Sequence, residues 1–124
     1  QVVIDARSER NLIGVHPDLV KVIRRAAKAG GFVVTEGLRT KARQAQLVKA
    51  GASKTINSRH ITGHAIDVAA IVNGEVRWDW PLYAAISVRV KAAAKEFKVA
   101  IVWGGDWKSF RDGPHFELDR RFYP

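Results

Sequence analysis

The sequence contains no cysteine, and this absence excludes disulfide bonds and thiolate metal ligands. Any metal site must therefore be built from histidine, aspartate and glutamate, and the chain has only four histidines. The sequence also lacks an apolar run near the roughly 18 residues that a membrane-spanning helix needs. It has neither an internal repeat nor a low-complexity tract. These absences predict a soluble globular protein that does not span a membrane.

Acidic residues are few. The chain has 12 of them against 21 lysines and arginines, which gives a formal net charge of +9 and a sequence pI near 10.4. Such a charge favours a polyanionic partner, namely nucleic acid, acidic lipid or the anionic polymers of a bacterial envelope. Because the basic residues are spread along the chain, a solvated basic surface explains the charge equally well. A nucleic-acid binder would rest on charge alone, and we predict no specific nucleic-acid partner.

The first residues also do not have the pattern of a signal peptide. Residues 1–7 form a short apolar patch that Asp5 interrupts, without the basic and then apolar layout of a secretory leader. The sequence therefore predicts synthesis in the cytoplasm. With 124 residues, of which 47% are hydrophobic, the chain has the size of one domain and can bury a core. We predict a single, monomeric domain over residues 1–124.

Apolar residues recur at helical spacing in several segments, and short runs rich in β-branched residues separate them. Asn73-Gly74 is the strongest two-residue hairpin signal and predicts an antiparallel pair. The first dozen residues predict an irregular lead-in, and residues 52–57 a polar loop. The pattern favours an α+β domain in which helices pack on a small, mainly antiparallel sheet. The predicted helices start at Pro17, after Thr40 as a cap, and at Pro81, and the predicted strands cover 32–36, 68–72, 75–78, 100–103 and 115–118.

A histidine and an aspartate stand seven residues apart, as His60 and Asp67, across Gly63, which permits a sharp change of direction. His115 is the obvious third ligand. Two neutral nitrogens and one carboxylate would leave a zinc ion with a net positive charge of about one unit, which lowers the pKa of bound water and polarises a carbonyl group. The set predicts a catalytic zinc site for amide hydrolysis, although each residue alone is more often an ordinary polar residue.

Asp112 is the predicted general base that takes a proton from a metal-activated water. It lies three residues before His115 across Gly113-Pro114, so the two side chains need not follow helical spacing and can point into one cleft. Glu117 is the rival base. In a strand it shares a face with His115, so it can instead hydrogen-bond that imidazole. We favour Asp112.

The remaining polar and aromatic residues carry weaker signals. His64 resembles the second half of a helical histidine pair, but Gly63 disfavours a helix there, so we predict that His64 is structural. His16 is predicted to start the helix at Pro17. Arg39 is an ordinary surface arginine by spacing alone. Of the four tryptophans, which suit either a core or a substrate groove, Trp107 is predicted to lie at the site because it follows a glycine-rich loop.

Two motifs resemble the zinc-binding signature of the D-alanyl-D-alanine carboxypeptidase and hedgehog-like superfamily. Within it, residues 35–40, 58–60 and 103–107 are similar to the L-alanyl-D-glutamate endopeptidases found as bacteriophage endolysins. The similarity runs from about position 16 to the end of the chain. The two motifs are Ser58-x-His60-x-x-Gly63-x-Ala65-x-Asp67 and Asp112-x-x-His115-Phe116-Glu117.

This resemblance implies a hedgehog/DD-peptidase-like fold and a bacterial cell-wall hydrolase that cuts the L-alanyl to D-glutamate bond of the peptidoglycan stem peptide. It implies zinc ligation by His60, Asp67 and His115, with Asp112 as the base. It also implies that Arg39 lies near the substrate and that Ser58 is a candidate substrate-binding residue. A guanidinium there would pair with a substrate carboxylate or stabilise a developing oxyanion.

The expected partners are peptidoglycan and, through the basic surface, anionic envelope polymers. Without a separate wall-binding domain, wall binding is expected to come from the catalytic domain and its charge. Such a lysin is released into the periplasm through a holin-type pore. Two alternatives stay open, a D,D-carboxypeptidase on the same scaffold and a non-catalytic, zinc-stabilised wall-binding module.

Overall fold

The computed structural model of the protein describes residues 5–53, 55 and 58–124. In this part of the chain no helix combines the length and the apolar content needed to cross a bilayer. The helices are α1 (Ala6–Asn11), α2 (Pro17–Ala27), α3 (Lys41–Lys49) and α4 (Trp80–Phe97), with a short 3-10 helix at Gly104–Asp106. The strands are β1 (Phe32–Glu36), β2 (Ala65–Val72), β3 (Glu75–Arg77), β4 (Ile101–Trp103) and β5 (His115–Leu118).

Strand β2 is the centre of an antiparallel sheet in which the strands are ordered β1, β2, β5, β4. One edge of β2 pairs with β1. The other edge pairs with β5 along its first half, where Asp67 faces His115, and with β3 along its second half. This arrangement brings the start of β2 and the start of β5 side by side, although 48 residues separate Asp67 from His115 in the chain.

Side chains alternate between the two faces of strand β2, so one face packs into the core and the other carries Asp67. Ile66, Val68 and Ala70 belong to the hydrophobic core, where β2 contacts helix α4, which in turn packs against α2. Asp67 points the other way. The helix residues that complete this core include Leu19, Val22, Ile23, Ile86 and Val90.

The predicted elements from Pro17 onward are all present, although α4 starts at Trp80 instead of Pro81 and β2 starts at Ala65 instead of Val68. Helix α2 starts at Pro17, Thr40 caps α3 by accepting a hydrogen bond from the backbone of Arg43, and Asn73 and Gly74 both have positive φ in the hairpin between β2 and β3. Within the predicted polar loop, residues 54, 56 and 57 lie outside the described residues. The α+β fold class, with its mainly antiparallel sheet, is as predicted.

The predicted irregular lead-in is wrong over residues 6–11, which form helix α1; residues 1–4 lie outside the described residues. The Asp5 side chain caps this helix by accepting a hydrogen bond from the Ser8 backbone at 2.9 Å. Two polar side chains of α1 then bind the outer edge of β1. Ser8 Oγ accepts from the Val34 N–H, and Asn11 Nδ2 donates to the Val34 carbonyl. These tertiary bonds stabilise a helix too short for an apolar stripe to reveal.

Candidate metal centre and active site

The centre of the site is a cross-strand pair. Asp67 on β2 lies directly opposite His115 on β5, so their side chains project from the same face of the sheet. His115 Nδ1 lies 3.1 Å from Asp67 Oδ1. The carboxylate and one imidazole are therefore placed by the sheet itself.

His60 reaches the same carboxylate from the turn that precedes β2. Its Nδ1 lies 2.8 Å from the Gly37 carbonyl oxygen. Because a carbonyl oxygen can only accept, Nδ1 carries the proton in the neutral ring and Nε2 presents a lone pair. His60 Nε2 lies 3.3 Å from Asp67 Oδ1, which is also a hydrogen-bond acceptor. Two facing acceptors repel each other unless a proton or a cation lies between them.

The donor set fits a zinc ion. In a tetrahedral site with bonds of about 2.0 Å, ligand atoms lie roughly 3.3 Å apart. The Asp67 oxygen lies 3.3 Å from His60 Nε2 and 3.1 Å from His115 Nδ1, and one ligand atom from each of the three residues lies within 4.8 Å of the others. Two neutral nitrogens and one carboxylate oxygen, with both histidines buried, match the ligands that zinc prefers. The structure thus brings together the three residues predicted as ligands.

Glu117 lies against the far side of the His115 ring. Its Oε1 is 2.8 Å from His115 Nε2, and both side chains are buried. A carboxylate on Nε2 holds the proton there, so Nδ1 is the nitrogen free to bind a metal. This geometry matches the hydrogen-bonding alternative for Glu117, not its use as a base.

Replacing Glu117 with alanine is expected to weaken zinc binding by about 10- to 100-fold, because the His115 ring loses the partner that fixes its tautomer and orientation. Glu117→Gln is the matched control, since its amide oxygen still accepts from Nε2, and should stay closer to wild type. Competition with a chromophoric chelator measures both affinities. Equal affinities for wild type and Glu117→Ala would show that Glu117 does not orient His115.

Gly37 links the site to helix α1. Its carbonyl accepts the hydrogen bond from His60, and the backbone N–H of Arg39 donates to the His60 carbonyl at 3.0 Å. A Cβ atom on residue 37 would lie 2.0 Å from the Asn11 carbonyl oxygen. Only glycine allows the chain to pass this close to the end of α1. The helix that the sequence pattern did not reveal therefore helps to position His60, a candidate metal ligand.

Arg39 is not the surface arginine that spacing alone favours, since its side chain is only 8% exposed. The guanidinium donates to both oxygens of Glu36 at 2.7 Å and to Gln44 Oε1 at 2.6 Å. One of its nitrogens also lies 3.5 Å from Asp67 Oδ2. The guanidinium is thus fixed beside the carboxylate of the candidate metal site, within the wall of the cleft.

Gln44 is a part of the site's support that sequence reasoning missed. It is fully buried on α3, and its amide nitrogen donates to Ser53 Oγ at 2.8 Å and to the Thr55 carbonyl at 2.5 Å. The Gln44 side-chain oxygen accepts a hydrogen bond from Arg39, so Gln44 connects the segment after α3 to the wall of the cleft. Gln46 on the same helix is exposed, so the residue type alone does not indicate that Gln44 is buried.

Asp112 faces the same cleft from the turn that leads into β5. The turn is closed by a hydrogen bond from the His115 N–H to the Asp112 carbonyl, and Asp112 N–H donates to the Gly104 carbonyl. Burial raises the pKa of the Asp112 carboxyl above its ordinary value, and the negative charge of Asp67 raises it further. Nearby cationic side chains oppose this shift without cancelling it. A carboxyl group with a raised pKa is better matched to proton transfer near neutral pH.

The cleft has a volume of about 870 Å³ and contains every side chain predicted for the site. The Trp107 ring lies 5.1 Å from the His115 ring. Ser58 lies at the other side of the ligands, where its Oγ accepts a hydrogen bond from the His60 N–H. Trp103, by contrast, is part of the core.

The other two histidines have structural contacts, as predicted. His16 caps α2, with Nδ1 accepting from the Asp18 N–H. His64 Nδ1 lies 2.6 Å from Thr62 Oγ1, and neither His16 nor His64 lines the cleft. Gly63 between His60 and His64 has φ of +77°, so the segment turns here as expected.

Known proteins are similar to this chain in both fold and sequence. Residues 2–123 match the family described as phage L-alanyl-D-glutamate peptidase. The chain belongs to the phage L-alanyl-D-glutamate peptidase family. The resemblance seen in the two sequence motifs is therefore confirmed over nearly the whole chain.

Two proteins named for this activity are similar to the chain along most of their length. The L-alanyl-D-glutamate peptidase of Escherichia phage T5 is 37% identical over 122 residues, which cover 94% of this chain and 88% of that protein. The crystal structure of the Serratia marcescens L-Ala D-Glu endopeptidase ChiX superposes with a TM-score of 0.90 at 55% identity, covering 96% of this chain and 91% of ChiX.

A more distant structure shares the fold. The vancomycin-resistance D,D-dipeptidase VanXYg, in complex with a D-Ala-D-Ala phosphinate analogue, superposes with a TM-score of 0.57 at 20% identity, covering 84% of this chain and 50% of VanXYg. At this identity the likeness concerns architecture alone. The predicted DD-peptidase-like fold is confirmed.

Proposed function

We propose that this member of the peptidase family is a zinc-dependent peptidoglycan hydrolase that cuts the L-Ala–D-Glu bond of the stem peptide. The observation that carries the proposal is the convergence of His60, Asp67 and His115 on one point of a cleft that also contains Asp112. The relatives named as L-alanyl-D-glutamate peptidases support the choice of bond.

In this proposal His60 Nε2, Asp67 and His115 Nδ1 would hold a zinc ion. When bound, zinc would act as a Lewis acid that polarises the scissile carbonyl group and acidifies water. Asp112 is the general base that would take a proton from the attacking water and pass it to the nitrogen of the leaving amine. The raised pKa of Asp112 suits a group that must both accept and release a proton.

The other residues of the cleft bind and orient the substrate. Arg39, held by Glu36 and Gln44, presents a fixed positive charge that stabilises negative charge developing on the carbonyl oxygen. The Trp107 ring lies along the cleft beside His115 and supports an extended peptide. Ser58 is assigned a hydrogen bond to the substrate backbone.

The bacterial cell wall is the proposed place of action. The formal charge of +9 favours approach to its anionic polymers. Release through a holin-type pore and action as a monomer stay predictions from the sequence.

A synthetic stem pentapeptide, L-Ala–D-Glu–L-Lys–D-Ala–D-Ala, tests the bond that is cut. The zinc-loaded protein is expected to release free L-alanine and a tetrapeptide that begins with D-glutamate, both identified by mass spectrometry. Release of D-alanine instead would support the D,D-carboxypeptidase alternative. If neither the peptide nor purified wall is cleaved, the result would support the alternative of a non-catalytic, zinc-stabilised wall-binding module.

A further inference from the structure

Arg111 lines the cleft with a guanidinium that is held in place and yet, among the described residues, has no acidic partner. Its Nε donates to the Gly105 carbonyl at 3.0 Å, and its Cζ lies 4.4 Å from the centre of the Trp80 ring. Within the described ranges, no carboxylate oxygen lies within 4.0 Å of this guanidinium.

The other cleft arginines are either occupied or loosely held. Arg39 is bound by acidic and amide side chains, and Arg59 donates to the carbonyl oxygens of residues 118 and 123. Arg120 is largely exposed, and its nearest acidic partner, Glu117, is 3.9 Å away. In the described part of the cleft, Arg59 and Arg111 both lack a carboxylate within 4.0 Å. Arg59 Nη2 is taken up by two backbone carbonyls, whereas Arg111 makes its backbone hydrogen bond through Nε and leaves its Nη groups without a partner among the described residues.

The contacts of Arg111 fix the plane of its guanidinium. Stacking on Trp80 sets the orientation, and the Nε hydrogen bond sets the rotation, so the two Nη groups remain available at the cleft. Trp80 is itself supported, since its ring lies 5.6 Å from the Trp103 ring and a Cβ on Gly113 would lie 3.3 Å from it. A fixed pair of N–H groups of this kind matches the two oxygens of a carboxylate.

We infer that Arg111 forms a subsite for the free carboxylate of the glutamate residue on the leaving side of the scissile bond. This inference rests on the proposed function. Glutamate has two carboxyl groups, and only one of them can continue the peptide, so the other remains as a free anion. This free carboxylate belongs to the same glutamate whose backbone nitrogen is the leaving group. Asp112, the group assigned to protonate that nitrogen, is the next residue in the chain after Arg111.

The subsite explains how an arginine outside the metal centre selects the substrate. A bound carboxylate at Arg111 places the leaving nitrogen beside Asp112, whereas a substrate with a neutral group there loses this contact. No carboxylate in the described part of the chain pairs with Arg111, so no internal ion pair among these residues has to break when the substrate binds.

Two peptides that differ at a single group test the subsite. The first is L-Ala–D-Glu–L-Lys joined through the γ-carboxyl of glutamate, and the second carries a carboxamide in place of the free α-carboxylate. The zinc-loaded wild type is expected to cleave the first about 10-fold more efficiently, measured as kcat/KM, because a charged hydrogen bond at a partly exposed site has about this strength. Arg111→Gln is expected to lose about 10-fold on the first peptide only. Arg111→Lys should keep part of the preference.

Arg25→Gln is the matched control, since Arg25 lies on the surface of α2 paired with Glu96, and it should retain the full preference. Melting temperature and zinc content verify that each variant is folded and loaded. The subsite is overturned if Arg111→Gln keeps the preference, if it loses activity equally on both peptides, or if Arg120→Gln removes the preference instead. A wild type that cleaves neither peptide would overturn the proposed function and the subsite with it.

Discussion

Asp112→Asn is expected to lower kcat/KM on the stem peptide by roughly 10²- to 10⁴-fold while the protein keeps its fold and its zinc. Asparagine has nearly the shape of aspartate, and the turn that positions it is closed by backbone hydrogen bonds that the substitution leaves intact. The lost function is proton transfer, because an amide cannot take a proton from water near neutral pH. Initial rates of peptide cleavage at equal zinc content measure the effect.

Asp106→Asn is the control for Asp112→Asn. Asp106 lies in the preceding 3-10 helix, is exposed and pairs with Lys91 at 2.6 Å. It does not line the cleft. Its replacement should change the rate by less than about 2-fold, in line with the small contribution of an exposed ion pair. Wild-type activity in Asp112→Asn would remove the base assignment and return attention to Glu117.

Zinc removal is expected to abolish cleavage and to lower the melting temperature by roughly 10 °C or more. A metal ion present at a concentration far above its Kd stabilises the folded state by several kcal/mol. His60→Ala should reproduce both losses, since it removes one of three ligands. His64→Ala, four residues away and outside the cleft, is the matched control and should keep both zinc and activity. Calorimetry and elemental analysis give the two readouts.

The effect of zinc on stability is expected to grow with pH. In the metal-free protein, burial lowers the pKa of His115, but the hydrogen bonds to Asp67 and Glu117 outweigh it and raise that pKa to about 9. Because the folded pKa lies above the unfolded value of about 6.5, this proton stabilises the metal-free protein below pH 6.5. The stabilisation is lost as the pH rises through 9.

Zinc has the opposite dependence, because it must displace the His115 proton in order to bind. The difference in melting temperature between the zinc-loaded and the chelated protein should therefore be larger at pH 9 than at pH 6. Asp67 does not interfere in this range. Desolvation raises its pKa, but the interactions with His115 and His60 together outweigh this effect and hold the pKa well below its ordinary value. A melting temperature that chelator leaves unchanged at both pH values would exclude a metal site at these residues.

Local sequence signals identified much of this site because its parts are short and chemically distinctive. A histidine, a glycine with positive φ and an aspartate at the start of an apolar strand fix His60 and Asp67 on neighbouring segments. The Gly113-Pro114 turn likewise places Asp112 beside His115. With no cysteine in the chain, few other ligands were available.

What the sequence could not reveal depends on contacts between distant segments. The register that sets Asp67 opposite His115 is a property of the whole sheet. The Arg39 contacts join Glu36 at the end of β1 to Gln44 on α3, and neither residue type indicates burial by itself. Helix α1 was missed for the same reason, since its side chains bind the edge of β1 instead of forming an apolar stripe.

Cleavage of purified peptidoglycan by the zinc-loaded protein, with identification of the new chain ends, tests the central claim most directly. The account predicts new L-alanine carboxyl termini and new D-glutamate amino termini, in equal amounts and in wild type but not in Asp112→Asn. Wall fragments in which the L-Ala–D-Glu bond is intact, or free D-alanine as the released product, would contradict it.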